Sequence, residues 1–249
     1  MLALLGISTI ASLIGCSVIG VRLLLLYRRS RQLPELIMGS SFLVGGVIGY
    51  IFMLLGTGGA QAMGEDLAKL FFLVGYALIS AAVILTYLFV WRVFRSGARW
   101  AACLFFACTG VLLLGGVGLA ITLVPGDSIS RPTGVAAVWL TVSLVARLVG
   151  YGWAAIESFR YWSMLKRRVA IGLADVATAN RFYYWGVCTA AVVCIWFNLL
   201  AEQFVPWLVE NPALSQMLSA VLGFVVAGSL WIAFFPGSTS AEATAVGAE

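Results

Sequence analysis

Residues 132–160 read PTGVAAVWLTVSLVARLVGYGWAAIESFR. This is a membrane-length segment with one full charge, Arg147, at its middle. Crossing a bilayer takes roughly 20 apolar residues. Six other stretches of suitable length carry no Lys, Arg, Asp or Glu: 1–21, 36–64, 70–91, 100–126, 182–201 and 211–241. Each is long enough to cross once and too short to cross twice. With the Arg147 segment they predict a seven-helix transmembrane bundle, all-α. Barrel strands would alternate polar and apolar residues over about ten positions, and these runs do not.

The composition agrees. Of 249 residues, 62% are hydrophobic and 10% charged, whereas soluble domains are about 25% charged. Helices are expected at about 2–27, 35–55, 67–94, 99–123, 133–165, 181–203 and 213–235, with 237–249 as a disordered cytoplasmic tail. Met1–Leu5 carries no positive charge, so the first segment reads as a retained helix and not a cleaved signal. Small residues recur at four-residue spacing: Ser8, Ser12, Cys16, Gly20; then Ser41, Gly45, Gly49; then Ser219, Gly223, Ala227. In lipid such stripes let backbones approach closely. The glycines at 115, 116 and 118 point the same way. Pro125-Gly126-Asp127 reads as a turn, Asn180 as the N-cap of the sixth helix, and Pro236 as the stop of the seventh.

Cations set the orientation. One side carries Arg28, Arg29 and Arg31, then Arg92, Arg95 and Arg99, then Arg160, Lys166, Arg167, Arg168 and Arg181; the other carries Lys69 and Arg131. The positive-inside rule places the N-terminus outside and the C-terminus in the cytoplasm of a bacterial inner membrane. Tyr27, Trp91, Trp100, Tyr161, Trp162, Tyr183, Tyr184, Trp185 and Trp231 would ring the inner face, and Trp139 and Trp207 the outer. The net charge of +5 then reflects anchoring at the cytoplasmic face, not nucleic-acid binding.

The chemistry these residues exclude is broad. No histidine is present, which removes His-based metal and haem sites. The five cysteines, 16, 103, 108, 188 and 194, form no C-x-x-C pair. No G-x-S-x-G, H-E-x-x-H or phosphate-binding loop occurs, and no deep carboxylate pair. The chain reads as no enzyme, with no cofactor and no metal.

Four cytoplasmic-half motifs carry a resemblance: Arg31-Gln32-Leu33-Pro34-Glu35-Leu36, Trp91-Arg92-Val93-Phe94-Arg95, Asn180-Arg181-Phe182 with Trp185-Gly186, and Trp231-Ile232-Ala233-Phe234-Phe235-Pro236. On these the chain resembles a group of bacterial seven-helix membrane proteins to which the resemblance attaches no activity. The layout is that of rhodopsin-like and heptahelical proteins. Rhodopsins hold retinal on a lysine in the middle of the seventh helix; here the lysines are Lys69 and Lys166, both at helix ends, so no retinal pigment is expected.

An arginine at mid-helix costs about 2.5–3.5 kcal/mol on insertion scales. Arg147 is therefore either a structural arginine bonded to carbonyls and tyrosines, or an anchor for an anionic ligand. Helical spacing puts Ser143, Gly150, Tyr151 and Ala154 on its face, which should look into the bundle. Matching depth adds Tyr50, Tyr76 and Asn198, with Glu202 one turn above Asn198. Together these predict a pocket open to the periplasm with Arg147 at its floor, binding a small anionic or lipid-like ligand. Glu157 is expected to pair with Arg160. Three functions follow: a receptor or sensor whose basic segment Lys166–Arg181 meets a cytoplasmic partner, a small-solute carrier, or an assembly subunit.

Overall fold

The computed structural model describes residues 2–58, 60–123 and 132–235. Among them no strand occurs. Seven helices are long and apolar enough to cross a membrane: α1 (Leu2–Ser30), α2 (Leu33–Gly58), α3 (Glu65–Phe94), α4 (Arg99–Thr122), α5 (Gly134–Ala170), α6 (Val176–Phe204) and α7 (Pro212–Phe234). The chain is a multi-pass membrane protein. The turn at Pro125-Gly126-Asp127, Arg131, Pro236 and the tail 237–249 lie outside the described residues.

Local chemistry sets the helix ends. Arg31 stops α1 with φ +56°, its amide still bonded to the Tyr27 carbonyl at 2.8 Å. Pro34 stands in the first turn of α2, where a missing amide hydrogen costs nothing. α5 continues through Lys166, Arg167 and Arg168 until Gly172, at φ +72°, closes it. There the Leu173 amide reaches Arg168 O at 2.8 Å and the Gly172 amide reaches Val169 O at 3.0 Å, a left-handed C-terminal cap.

α6 is capped five residues before the expected position, Asn180. Asp175 takes that role: its carboxylate accepts the amides of Ala177 (3.2 Å) and Thr178 (3.1 Å). The basic segment Lys166–Arg181 is therefore two helix ends joined by a tight turn, not an open loop. The Ala177 amide, then Thr178, holds the Asp175 carboxyl below the ordinary carboxylate range. Stability from a lowered pKa is present above the unfolded value and is lost as pH falls through the folded one. Asp175→Ala should lower stability by about 1 kcal/mol at neutral pH. Melting curves of both proteins should converge below the usual carboxylate range, and a gap that persists in acid would count against the cap.

The helices pack in a ring. α1 touches α2 and α7; α2 touches α3; α3 touches α4 and α5; α5 touches α6; α6 touches α7. α4 packs on α3 and α5 from outside, so six helices enclose the centre. Its outer face exposes Phe106, Leu113, Leu114, Val117 and Ile121, apolar surface suited to lipid.

The small-residue stripes lie at these contacts. Ser8 on α1 donates to Ala220 O on α7 at 2.9 Å, and a methyl on Gly223 would come within 2.4 Å of the Ser8 hydroxyl. Between α2 and α3 the approach is backbone to backbone. A Cβ on Gly56 would lie 2.4 Å from Phe72 N, and one on Gly75 would lie 2.5 Å from Met53 N. At Gly45 it would lie 2.2 Å from the Ala82 Cβ.

α2 is not a uniform helix. Phe42–Gly49 is wound as a π-helix, and the Tyr50 amide bonds to Gly45 O, five residues back. Such turns are uncommon and concentrate at functional sites. Here Gly45 meets α3, while a Cβ on Gly46 would press within 2.9 Å of Cys16 Sγ on α1.

At the end of the bundle holding most cations, one reading changes. Glu157 pairs mainly with Arg95, the residue that caps α3, and not with Arg160: Arg95 Nε and Nη2 donate to its two oxygens at 2.8 and 3.0 Å, while Arg160 stays 3.9 Å away. Arg22, which ends the uncharged stretch 1–21, lies within α1. Its guanidinium lies over the Phe235 ring at 4.5 Å, joining α1 to the end of α7 by a cation–π contact.

Candidate functional site

The ring of helices encloses a cavity of about 780 Å³, within the range of small-molecule sites. α4 contributes nothing to it. At the end with few cations its lining is polar and partly exposed: Thr57, Glu202, Gln203 and Gln216. At the basic end it closes on buried Met38, Trp185 and Leu230. Phe42 and Phe234 meet Trp185 edge-on at 5.8 and 6.5 Å, completing an aromatic plug.

Arg147 reaches this cavity from α5 and is 2% exposed. Two aromatic rings clasp it: its guanidinium carbon lies 4.5 Å from the Tyr76 ring centre and 4.9 Å from that of Trp196. Nη2 donates to Ser80 Oγ at 3.0 Å. Among the described residues Nε has no hydrogen-bond partner. Among the described residues no carboxylate lies within 4.0 Å of it. The charge is held by ring faces and one hydroxyl, which is attractive but leaves capacity for an acceptor.

The clasp has its own support. The Tyr76 hydroxyl donates to Ser143 Oγ, and Ser143 donates to the Trp139 carbonyl at 2.8 Å. A Cβ on Gly115 of α4 would fall 2.1 Å from Ser143 Oγ and 3.1 Å from the Tyr76 hydroxyl. The absent methyl is what makes room for the Tyr76–Ser143 pair. Ser143, Gly150 and Ala154 are all buried, as their place on the Arg147 face requires.

Of the expected site residues, Arg147, Tyr151, Tyr50 and Tyr76 line the cavity, as does Glu202. Ser143 stands behind Tyr76 and does not. Asn198 faces away: its amide donates to Ser215 Oγ (2.6 Å), Ser215 O (3.3 Å) and Ser219 Oγ (3.2 Å). It joins α6 to α7. Arg147 is also not the floor. Trp196 marks its level on α6, and Trp185 at the plug lies eleven residues deeper, about 16 Å at 1.5 Å per residue. The arginine sits on the wall at mid-depth.

Sequence reasoning missed Trp196, and it set Trp185 in the inner aromatic ring, whereas the structure buries Trp185 at the closed end of the cavity. Besides Arg147 Nε, two buried donors on lining residues lack a partner among the described residues: Trp185 Nε1 and Trp196 Nε1. An unpaired buried donor costs about 1–3 kcal/mol, so such a group is informative where it borders a cavity. All three groups donate, so what they lack is an acceptor. Both tryptophans were visible in the sequence, but only as aromatics at membrane spacing.

Comparison of the chain with family models, with curated proteins and with solved structures found no match.

Proposed function

We propose that this chain is a receptor- or sensor-like seven-helix protein that binds a small anionic or amphipathic ligand in its central cavity. The observation that carries this reading is the Arg147 guanidinium, which belongs to a residue of the cavity wall and has, among the described residues, no carboxylate within 4.0 Å. A carboxylate or phosphate supplies acceptors to a guanidinium, and walls such as Leu140, Leu144 and Ile195 suit an apolar body. The cation distribution supports a bacterial inner membrane with the N-terminus outside, which makes the polar mouth periplasmic. The α5–α6 hairpin, with Lys166, Arg167, Arg168 and Arg181, is then the cytoplasmic face offered to a partner.

The test is binding of heptanoate and heptyl phosphate to the purified protein in nanodiscs. Arg147→Gln should weaken both by about ten-fold or more, the size of a lost hydrogen bond to a charged group. Arg147→Lys, which keeps the charge but not the planar donor set, should fall between. Equal binding by all three proteins would make Arg147 a structural residue only.

A small-solute carrier is the second reading. It is favoured by the cavity running past Arg147 to the Phe42–Trp185 plug, with the π-helical stretch of α2 in its wall. Counterflow of labelled heptanoate into proteoliposomes separates the two: a receptor gives none.

A further inference from the structure

The cavity holds a second charge, of opposite sign, at another depth. Glu202 lines it near the polar mouth. Its carboxylate accepts the Ser215 hydroxyl, and among the described residues no cation lies within 4.0 Å of it. Arg147 below it likewise has no acidic partner among the described residues. The two charges therefore share one cavity without neutralising each other.

Their separation follows from α6. Trp196 stacks on the guanidinium, and Glu202 follows six residues later on the same helix. Six residues rise about 9 Å. Between the two levels the α2, α3 and α6 walls are apolar, with Leu199, Met53 and Phe72, while Ser8 and Ser219 stand on the α1–α7 side. The site thus reads, along its depth, as a cation, a mainly apolar band and an anion.

Building on the anion reading of Arg147, we infer that the cavity takes a zwitterion: an acidic group at Arg147, an aliphatic spacer, and an ammonium at Glu202. Each end meets a charge of opposite sign, so the ligand supplies the counter-ions that are absent among the described residues. A plain carboxylate of equal length leaves Glu202 unpaired and strips water from it on entry, which costs binding. An α-amino acid holds its charges too close to reach both. An ω-amino acid with a spacer of about 9 Å spans them; extended 7-aminoheptanoate has about this length.

The experiment compares 7-aminoheptanoate, heptanoate and 3-aminopropanoate on the full chain in nanodiscs, read by calorimetry. 7-Aminoheptanoate is expected to bind about ten-fold or more tighter than either of the others. Glu202→Gln should bring the two ligands to similar affinity, weakening 7-aminoheptanoate and tightening heptanoate by relieving its desolvation cost, and heptanoate binding shows that the variant is folded. Arg147→Gln should weaken both. If heptanoate and 7-aminoheptanoate bind the native protein equally, or if Glu202→Gln leaves their ratio intact, the zwitterion assignment is overturned while the anion site at Arg147 stands. If 7-aminoheptanoate does not bind at all, the assignment is overturned too, and the heptyl phosphate series alone then decides the anion site.

Discussion

Replacing Arg95 with alanine should destabilise the protein by about 3 kcal/mol, the low end of the range for breaking a buried ion pair. Glu157 is the reason. Its side chain is 6% exposed, and Arg95 meets both its oxygens from the end of the neighbouring helix. Without Arg95 the carboxylate keeps only Trp153 Nε1 at 3.4 Å and a distant, mostly exposed Arg160. A charge buried without a partner is costly. Arg95 itself is 34% exposed, which tempers the effect.

Glu157→Gln should cost less, because Arg95 can turn to water, and a double replacement by leucine should recover much of the loss. Urea or SDS titration of the three variants in micelles checks this order. A loss under about 1 kcal/mol for Arg95→Ala would mean that Arg160 swings in to take over. Glu157 holds the Arg95 guanidinium above its ordinary value. That contribution is complete below the unfolded value and lost only as pH rises through the folded one, so alkaline titration near neutrality should not release α3 from α5.

Gly75→Ala and Gly56→Ala should each be as damaging, by about 3 kcal/mol or more, at or above the usual cost of overpacking. The obstacle in both cases is main chain. A methyl on Gly75 meets Met53 N at 2.5 Å and Gly49 O at 2.9 Å, and one on Gly56 meets Phe72 N and Cα at 2.4 and 2.6 Å. No rotamer change relieves such contacts, so α2 and α3 must separate. α2 carries the π-helical stretch and forms one wall of the cavity, so ligand response should fall with stability. Gly58→Ala is the control. Nothing lies within 4 Å of its added methyl, and it should be neutral or slightly stabilising. Equal melting points for Gly58→Ala and Gly75→Ala would remove close approach as the explanation.

Several parts of the site were legible in advance, and for a common reason. Arg147 stood out because charge at mid-depth is expensive. Its helical neighbours Ser143, Gly150 and Ala154 follow from a period of 3.6, and all three are buried. Tyr50 and Tyr76 followed from depth alone, and both line the cavity. Asn198 followed by the same rule and faces α7 instead, because depth says nothing about rotation around a helix axis. Glu157 was assigned the partner three residues along its own helix. The stronger one is Arg95, at the end of a helix that only the packing brings near.

What the chain determined unaided is the number and placement of its spans. In hydrocarbon every backbone polar group must bond within its own helix, so apolar length and the spacing of charges are enough to read seven crossings. Tertiary structure decided the rest: that α4 stands outside the ring, that α2 unwinds into a π-helix between Cys16 and Ala82, that the cavity runs past Arg147 to Trp185, and that Glu202 shares it. Those features depend on which faces of different helices meet, and close packing between distant segments leaves no trace in the spacing along one of them.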